Sequence, residues 1–167
     1  MKEKQTLKRE NHEFGPCYDA HSEVLILGSF PSKKSRDVCF FYGHPQNRFW
    51  PLMGSIFHEN VPESVEGRKA FALKHHIALY DAIESCEISG SSDASISNIV
   101  PADLTPILNT AKIRLIILNG KTSEKAFKKY QHIEGIEAVT MPSTSPANAK
   151  LRLEDLVSIW GPLFVNK

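Results

Sequence analysis

The feature that most constrains the fold of this chain is a series of short apolar runs separated by segments with helical patterning. Apolar runs of strand length occupy four segments, 24–27, 77–83, 113–118 and 136–141. Strands buried on both faces of a sheet have such continuous apolar sequences. Strands that alternate with helices are typical of a parallel sheet covered on both sides. The sequence therefore predicts an α/β fold, a three-layer α/β/α sandwich with a central, mostly parallel four-stranded sheet.

Five helices are predicted around this sheet, and the segments between the strands and the helices form the loops at its edge. A chain of 167 residues predicts a single domain with a full core. We place this domain at residues 21–167, after a polar and poorly patterned lead-in at residues 1–20. Ligand sites of open α/β sheets lie beyond the carboxyl ends of the strands. That rule brings together the loops 28–47, 81–98, 119–122 and 142–150, and we interpret residues 84–98 as a serine-rich loop. The predicted helices are 48–57, 66–76, 101–110, a segment that begins near 122 and ends at 130, and 151–160.

The composition is that of an ordinary soluble protein. Hydrophobic residues make up 41% of the chain, charged residues 23%, and the net charge is +1, so no overall field indicates a nucleic-acid partner. The cysteines, Cys17, Cys39 and Cys86, form no Cys-x-x-Cys pair, which argues against a disulfide framework, a structural zinc or an iron–sulfur cluster. The charged amino terminus is not a signal peptide, and no apolar run approaches the about 20 residues of a membrane span. We expect a cytoplasmic protein with reduced thiols and no membrane association.

The densest group of polar and aromatic side chains follows the first predicted strand. The turn 28–32 contains no carboxylate and no amide side chain, so the nearest strong candidate for polar chemistry is Asn47. From the residues alone, Asn47 is also a good cap for the helix predicted to begin at Arg48. Both interpretations stay open at this point.

A nucleotide-binding module or small-molecule enzyme on the same kind of sheet is the first alternative. Such proteins bind phosphate through a glycine-rich turn, yet neither G-x-G-x-x-G nor G-x-x-x-x-G-K-[ST] follows any predicted strand. The segment Asn119-Gly120-Lys121-Thr122 matches only the end of the second motif, because its first glycine is missing. This alternative is therefore disfavoured.

Four ordered motifs and one similar strand end carry a resemblance to a known family. They are Gly28-Ser29-Phe30-Pro31-Ser32, the segment Tyr42 to Trp50, Leu79-Tyr80-Asp81 with Ser85-Cys86-Glu87, Pro142 to Asn148, and Asn119-Gly120-Lys121. Over about residues 21–161 the chain resembles the uracil-DNA glycosylase superfamily, and most closely its hypoxanthine-DNA (deoxyinosine) glycosylase branch. Better-known relatives carry Asp or Asn where this chain has Phe30, and that difference is typical of the hypoxanthine branch.

The resemblance implies a monofunctional DNA glycosylase of base excision repair. It would hydrolyse the N-glycosidic bond of a deaminated base, with hypoxanthine as the first candidate, and without a metal or organic cofactor. The implied partner is DNA that contains a deaminated base, and the enzyme is expected to be a monomer. Two alternatives stay open, a uracil- or mismatch-specific glycosylase and a non-catalytic DNA-binding relative.

The same resemblance assigns roles to individual residues. Asn47 is the expected catalytic residue and would orient a water molecule by accepting its hydrogen bond. His44 would assist there, or would only stabilise its loop. Base flipping requires an aromatic and polar pocket, for which we expect Phe30 and Tyr42 to stack and Asp81 to accept the N1–H of hypoxanthine. Ser29 would add a backbone contact to the base.

A hydroxyl-rich loop before the last helix is the expected contact with the DNA backbone. Small hydroxyls and backbone N–H groups suit phosphate oxygens, although such runs are also plain turn and cap chemistry. Relatives insert a bulky side chain into the base stack at the position of Ala147, and Asn148 could share that task. The full set of expected DNA contacts is Ser32, Lys33, Ser143, Thr144, Ser145, Ala147 and Asn148.

Overall fold

The structure, a computed structural model, describes residues 8–12, 14–89 and 95–164, apart from the side chains of residues 8 and 33. Parts of three predictions lie outside these residues: residues 1–7 and 13 of the lead-in, residues 90–94 of the serine-rich loop, and residues 165–167 of the predicted domain. In chain order the elements are β1 (Lys8–Asn11), β2 (Val24–Gly28), α1 (Lys33–Val38), α2 (Phe49–Phe57), α3 (Val65–Lys74), β3 (Ile77–Asp81), β4 (Ile83–Ile88), β5 (Ser97–Pro101), α4 (Thr105–Thr110), β6 (Leu115–Asn119), α5 (Lys121–Tyr130), β7 (Glu137–Met141) and α6 (Leu153–Trp160).

The predicted parallel sheet of four strands is confirmed. Its strand order is β3-β2-β6-β7, and every neighbouring pair is parallel. In register, Gly28 lies beside Asp81 and Asn119 lies beside Met141. The carboxyl ends of the four strands thus meet at one edge, where polar residues follow the apolar runs.

Helices cover both faces of this sheet, as predicted. Alternate side chains of β2 point to opposite faces, so Ile26 packs with α2, α3 and α6, while Leu27 packs with α4 and α5. Trp160 and Phe49 are fully buried on the first side, and Ile107 is fully buried on the second. The three-layer α/β/α architecture follows from this division.

The prediction of a loop over residues 84–98 is wrong for residues 84–88 and 97–98. This part of the chain contributes β4 and β5 to a second, antiparallel sheet with the order β1-β4-β5. The β4–β5 register shifts twice, between Ile83 and Ser85 and between Ser85 and Glu87. Such irregularities break the strict alternation that identifies a strand in a sequence.

Two further elements were not predicted. Strand β1 lies within the segment interpreted as a polar lead-in and pairs with β4, and α1 follows the turn after β2. Cys17, also in that segment, is buried and exchanges backbone hydrogen bonds with Leu79 of β3. The described part of the N-terminal segment is therefore attached to the domain at both sheets.

Candidate active site

A cleft of about 380 Å³ opens at the carboxyl edge of the parallel sheet. Its volume lies within the roughly 300–1,000 Å³ of small-molecule sites, so it admits a nucleobase but not a duplex. Loops from all four predicted segments contribute to it. The lining residues are Gly28, Ser29, Phe30, Pro31, Ser32, Ser35, Phe41, Tyr42, Asn47, Asp81, Asn119, Ser143, Thr144, Ser145 and Ala147.

A buried network of side-chain hydrogen bonds fixes Asn47 in this cleft. Thr144 is fully buried, and its hydroxyl donates to Asn47 Oδ1 at 2.8 Å. The Asn119 amide bonds to Thr144 twice, donating from Nδ2 to the hydroxyl and accepting from the backbone N–H, both at 3.1 Å. Asn119, at the end of β6, thereby holds Thr144, and Thr144 holds Asn47.

Asn47 also caps α2, the helix that follows it. Its Oδ1 accepts the backbone N–H of Phe49 at 2.9 Å, in addition to the Thr144 hydroxyl. Both donors require an oxygen acceptor, which defines the orientation of the amide, and together they occupy the two lone pairs of Oδ1. The group that remains for a ligand is Nδ2, for which the described residues contain no hydrogen-bond partner. The expectation that Asn47 accepts a hydrogen bond from water is therefore not supported by this geometry, because the available group is a donor.

Arg48 joins the Asn47 segment to the loop between β7 and α6. Its guanidinium donates to the carbonyl oxygens of Ser145 at 2.8 Å, Asn148 at 2.7 Å, and Leu151. Its backbone N–H donates to the carbonyl of Thr144 at 3.0 Å. A planar guanidinium with several fixed donors suits this task. The two loops consequently form one rigid wall of the cleft.

Hydroxyl groups of that loop accept hydrogen bonds from their own backbone. Ser143 Oγ accepts the N–H of Ser145, and Ser145 Oγ accepts the N–H of Ala147, both at 3.1 Å. Each serine keeps its O–H for another acceptor, and both line the cleft. Thr144 is different, since its hydroxyl is committed to the buried network and is inaccessible to a phosphate. Ala147 is exposed at the rim of the cleft.

Two of the predicted residues whose side chains are described, His44 and Asn148, do not line the cleft. His44 Nδ1 accepts the backbone N–H of Gln46 at 3.1 Å, so this histidine stabilises its own turn. Asn148 donates to the carbonyl of Ser143 at 3.0 Å and braces the loop. Lys33 is the first residue of α1, and its side chain lies outside the described residues. Ser32 precedes it, caps α1 through the N–H of Ser35 at 3.2 Å, and does line the cleft.

Aromatic rings provide the apolar part of the cleft. Phe30 and Phe41 are both buried and both line it. The guanidinium of Arg36 lies 5.6 Å from the centre of the Phe30 ring and within 3.1 Å of Glu10 in β1. Tyr42, which was expected to stack against a base, packs its ring on Phe49 instead, with centroids 4.1 Å apart. Its hydroxyl oxygen is buried close to Gly28.

Among the described residues that line the cleft, Asp81 is the one with a carboxylate side chain. It is 3% exposed, and its Oδ2 lies 2.7 Å from Nε2 of His12. Its Oδ1 would lie 2.4 Å from a Cβ atom on Gly28, and the Tyr42 hydroxyl would lie 3.2 Å from the same point. The absence of a side chain at Gly28 thus makes room for both oxygen atoms.

Several residues of this site were not predicted from the sequence. Asn119 and Arg48 stand in the quoted motifs, but neither was assigned to the site. Their signal was position, since one ends a strand and the other begins a helix at the sheet edge. Phe41 and His12 had no such signal, because Phe41 belongs to an aromatic run and His12 to a polar segment.

The described residues include no group of three or more His, Cys, Asp or Glu side chains placed to hold a metal ion. Within the same residues, none of the helices has the length and apolar character needed to cross a membrane.

An open parallel sheet with an amide, hydroxyl and aromatic cleft at its carboxyl edge defines the class of protein. The chain belongs to the uracil DNA glycosylase superfamily, whose family model matches residues 16–163. The superfamily predicted from the ordered motifs is thereby confirmed.

Two curated proteins and one solved structure are similar to this chain over most of its length. A hypoxanthine DNA glycosylase of Methanosarcina acetivorans is 32% identical over 153 residues, which are 90% of this chain and 96% of the relative. A hypoxanthine DNA glycosylase of Methanosarcina barkeri is 31% identical over the same shares of the two chains. The solution NMR structure of a candidate uracil DNA glycosylase from Methanosarcina acetivorans superposes with a TM-score of 0.78 at 29% identity, covering 90% of this chain and 94% of that one.

Proposed function

We propose that this protein is a monofunctional DNA glycosylase that hydrolyses the N-glycosidic bond of hypoxanthine in DNA. Two curated relatives that match 90% of the chain carry that activity in their names. For this chain, the proposal rests on the hydrogen bonding of the Asn47 amide. Its amide oxygen is held by two donors, and its amide nitrogen is left for a ligand in a nucleobase-sized cleft.

The cleft suits a base that has been taken out of the duplex. Extrusion costs a few kcal/mol, which is lowest for a base that is mispaired or damaged. Phe30 and Phe41 offer apolar surface to the extruded ring, and Asp81 offers an acceptor to its N–H edge. Backbone groups at Ser29 line the same space. The polar groups and the rings together match a purine that carries hydrogen-bonding groups on one edge.

Asn47 would position the attacking water as a hydrogen-bond donor. Cleavage of the glycosidic bond gives the sugar oxocarbenium character, so a correctly placed water needs little activation. An amide does not take up a proton near neutral pH, and its role is orientation. A water that accepts a hydrogen bond from Nδ2 keeps its second lone pair for C1′ of the sugar. The buried Asn119–Thr144 pair holds the amide in this orientation before DNA arrives.

The loop between β7 and α6 would contact the DNA backbone on one side of the cleft. Ser143 and Ser145 each keep a hydroxyl hydrogen that can bind a phosphate oxygen. Ala147 at the rim is small, so any wedge into the base stack would come from the backbone or from a neighbouring residue. We further propose that the protein acts as a monomer on DNA in the cytoplasm, at the nucleoid.

An excision assay tests this function. Duplexes with a single deoxyinosine, deoxyuridine or deoxyxanthosine are incubated with the protein, and abasic sites are then cleaved with alkali. We expect strand cleavage at deoxyinosine, and the free base hypoxanthine as the other product. Asn47→Ala should lose this cleavage while still folding. If wild-type protein cleaves none of the three duplexes, the glycosylase proposal is rejected; cleavage of deoxyuridine alone rejects the assignment to hypoxanthine.

A further inference from the structure

His12 and Tyr42 are two polar side chains next to the cleft that take no part in orienting the water or in contacting phosphate. His12 lies outside the segment that the family model matches. Its side chain is 1% exposed and is surrounded by the rings of Phe14, Tyr80, Phe41 and Phe30, with centroid distances of 4.5 to 6.3 Å. Burying an imidazole among rings is costly unless its polar atoms are satisfied. Its Nε2 lies 2.7 Å from Oδ2 of Asp81, whereas its Nδ1 has no hydrogen-bond partner among the described residues.

Because of the hydrogen bond from His12, the two carboxylate oxygens of Asp81 have different roles. A carboxylate only accepts hydrogen bonds, so Nε2 carries the hydrogen and Oδ2 accepts it. Oδ1 is left on the side of Gly28, where the described residues offer it no hydrogen-bond partner. A charge-assisted bond of this length is among the stronger ones in proteins, so it fixes the rotation of the carboxylate. One oxygen is thereby presented to the cleft as an acceptor.

The hydroxyl of Tyr42 lies beside that acceptor and lacks a partner. Its oxygen is buried and forms no hydrogen bond with any of the described residues. The amide of Asn119 is the neighbouring group that lowers the pKa of this phenol, although the two side chains form no hydrogen bond in this structure. Burial first, and then the charge of Asp81, raise the pKa of Tyr42 above its ordinary value, so the phenol stays a donor. A buried hydroxyl without a partner at a site is costly unless a ligand satisfies it.

We propose that His12, Asp81 and Tyr42 form a reader of the lactam edge of a deaminated base. His12 is a positioning residue that holds Asp81, Oδ1 of Asp81 accepts the ring N–H of the base, and the Tyr42 hydroxyl donates to the adjacent carbonyl oxygen. This inference rests on the proposed function, and it adds the means by which the site selects its base.

The chemistry of deamination explains why this pair of groups discriminates. Hypoxanthine presents a ring N–H beside a carbonyl oxygen, whereas adenine presents a ring nitrogen with a lone pair beside an amino group. Adenine would place its lone pair against the carboxylate, and two facing acceptors repel each other. Guanine presents the same two groups as hypoxanthine, but its normal pairing makes its extrusion from DNA more costly.

The same arrangement also helps the base to leave. The departing base carries negative charge, part of which resides on its carbonyl oxygen, and a bare carboxylate nearby would oppose that charge. The hydrogen bond from His12 to Oδ2 offsets the charge of Asp81, and the Tyr42 hydroxyl stabilises charge on the carbonyl oxygen. Both effects require the described N-terminal segment to be in place.

Binding to duplexes that resist hydrolysis tests the reader separately from catalysis. The target nucleotide carries a 2′-fluoro-arabino sugar and either hypoxanthine or unsubstituted purine, which lacks both the N–H and the carbonyl oxygen. Wild-type protein should bind the hypoxanthine duplex about tenfold or more tightly than the purine duplex. His12→Phe and Tyr42→Phe should each reduce this ratio severalfold, and His12→Gln, which keeps a donor, should restore part of it. Phe14→Leu is the matched control, because it alters the packing around His12 but not the hydrogen bond, and it should keep the ratio.

The outcomes separate the two proposals. Equal binding of the two duplexes by wild-type protein overturns the reader without the use of any variant. Unchanged ratios in both His12→Phe and Tyr42→Phe, with folding checked by circular dichroism, overturn it as well. If wild-type protein excises hypoxanthine but shows either result, the reader fails and the glycosylase function stands. If the ratios change as expected but no duplex is cleaved in the excision assay, the reader stands and the catalytic function fails.

Discussion

The hydroxyl of Thr144 lies 2.8 Å from the amide oxygen of Asn47, and this hydrogen bond joins two loops that are 97 residues apart in sequence. One loop lies between α1 and α2, in the connection that leaves β2, and the other follows β7; β6 separates these two strands in the sheet. Asn119, at the end of β6, bonds to Thr144 from between them. The orientation of Asn47 is therefore decided by residues from three segments that are far apart in sequence.

Asn47→Asp should separate the two functions of this side chain. Aspartate keeps oxygen acceptors for Phe49 and Thr144, so the helix cap survives, but it lacks the N–H donor. We expect the single-turnover rate on deoxyinosine to fall about a hundredfold, because the water loses its position. Thermal unfolding should stay close to wild type. Activity equal to or above wild type would indicate that an acceptor at this position, and not a donor, serves the water.

Asn47→Ala is the matched comparison for that variant. It removes the acceptor as well as the donor, so it should lose activity to a similar degree and also about 1 kcal/mol of stability through the lost cap. Urea unfolding of the two variants measures this difference directly. Equal stability of the two would contradict the assignment of Asn47 as the cap of α2.

Thr144→Val tests the buried network without touching the substrate. Valine has a similar shape, but it leaves Asn47 Oδ1 with one donor and removes an acceptor from Asn119. Unpaired buried groups cost about 1–3 kcal/mol, and we expect a loss of stability of that order in urea titration together with a lower cleavage rate. Thr144→Ser keeps the hydroxyl and should retain most of both. A Thr144→Val protein as active as wild type would show that the network does not position Asn47.

Gly28→Ala tests the space between Asp81 and Tyr42. A new Cβ would stand 2.4 Å from Asp81 Oδ1, a distance that side-chain atoms do not tolerate, and 3.2 Å from the Tyr42 hydroxyl. Asp81 must then rotate away from its position, and kcat/KM for deoxyinosine should fall more than tenfold.

Gly161→Ala is the control for that substitution, because a Cβ there meets nothing within 4 Å. Gly161 has helical backbone angles, so alanine should leave activity unchanged and could add about 0.5–1 kcal/mol of stability. Full activity of Gly28→Ala would contradict the close packing of Asp81 against β2.

The three thiols should differ strongly in reactivity. Burial raises the pKa of Cys17 to about 11, so at pH 8 this group is a protonated thiol and a weak nucleophile. Cys86 is buried as well, whereas Cys39 is exposed. With a disulfide reagent at pH 8 we expect one fast thiol in the native protein, identified as Cys39 by its absence in Cys39→Ser, and three thiols after unfolding in urea. Three fast thiols under native conditions would contradict the attachment of the Cys17 segment to β3.

The sequence by itself determined the parallel sheet and the edge at which the site lies. Continuous apolar runs such as Val24 to Leu27 can only be buried on both faces, and parallel strands bring their carboxyl ends together. Because these signals are local, they were sufficient to predict that Asn47, Asp81 and the Ser143 loop meet. The motifs in those loops were likewise sufficient to predict the superfamily.

Only the tertiary structure decided which atoms of those residues face the cleft. The free group of Asn47 depends on Thr144, and the free oxygen of Asp81 depends on His12, 69 residues away. Strand β1 pairs with the bulged strand β4 and carries no apolar pattern of its own, so nothing local marks His12 as part of the site. Hydrogen bonds between distant segments have no periodicity in sequence, and for that reason the chemistry of this edge became definite only when the chain was folded.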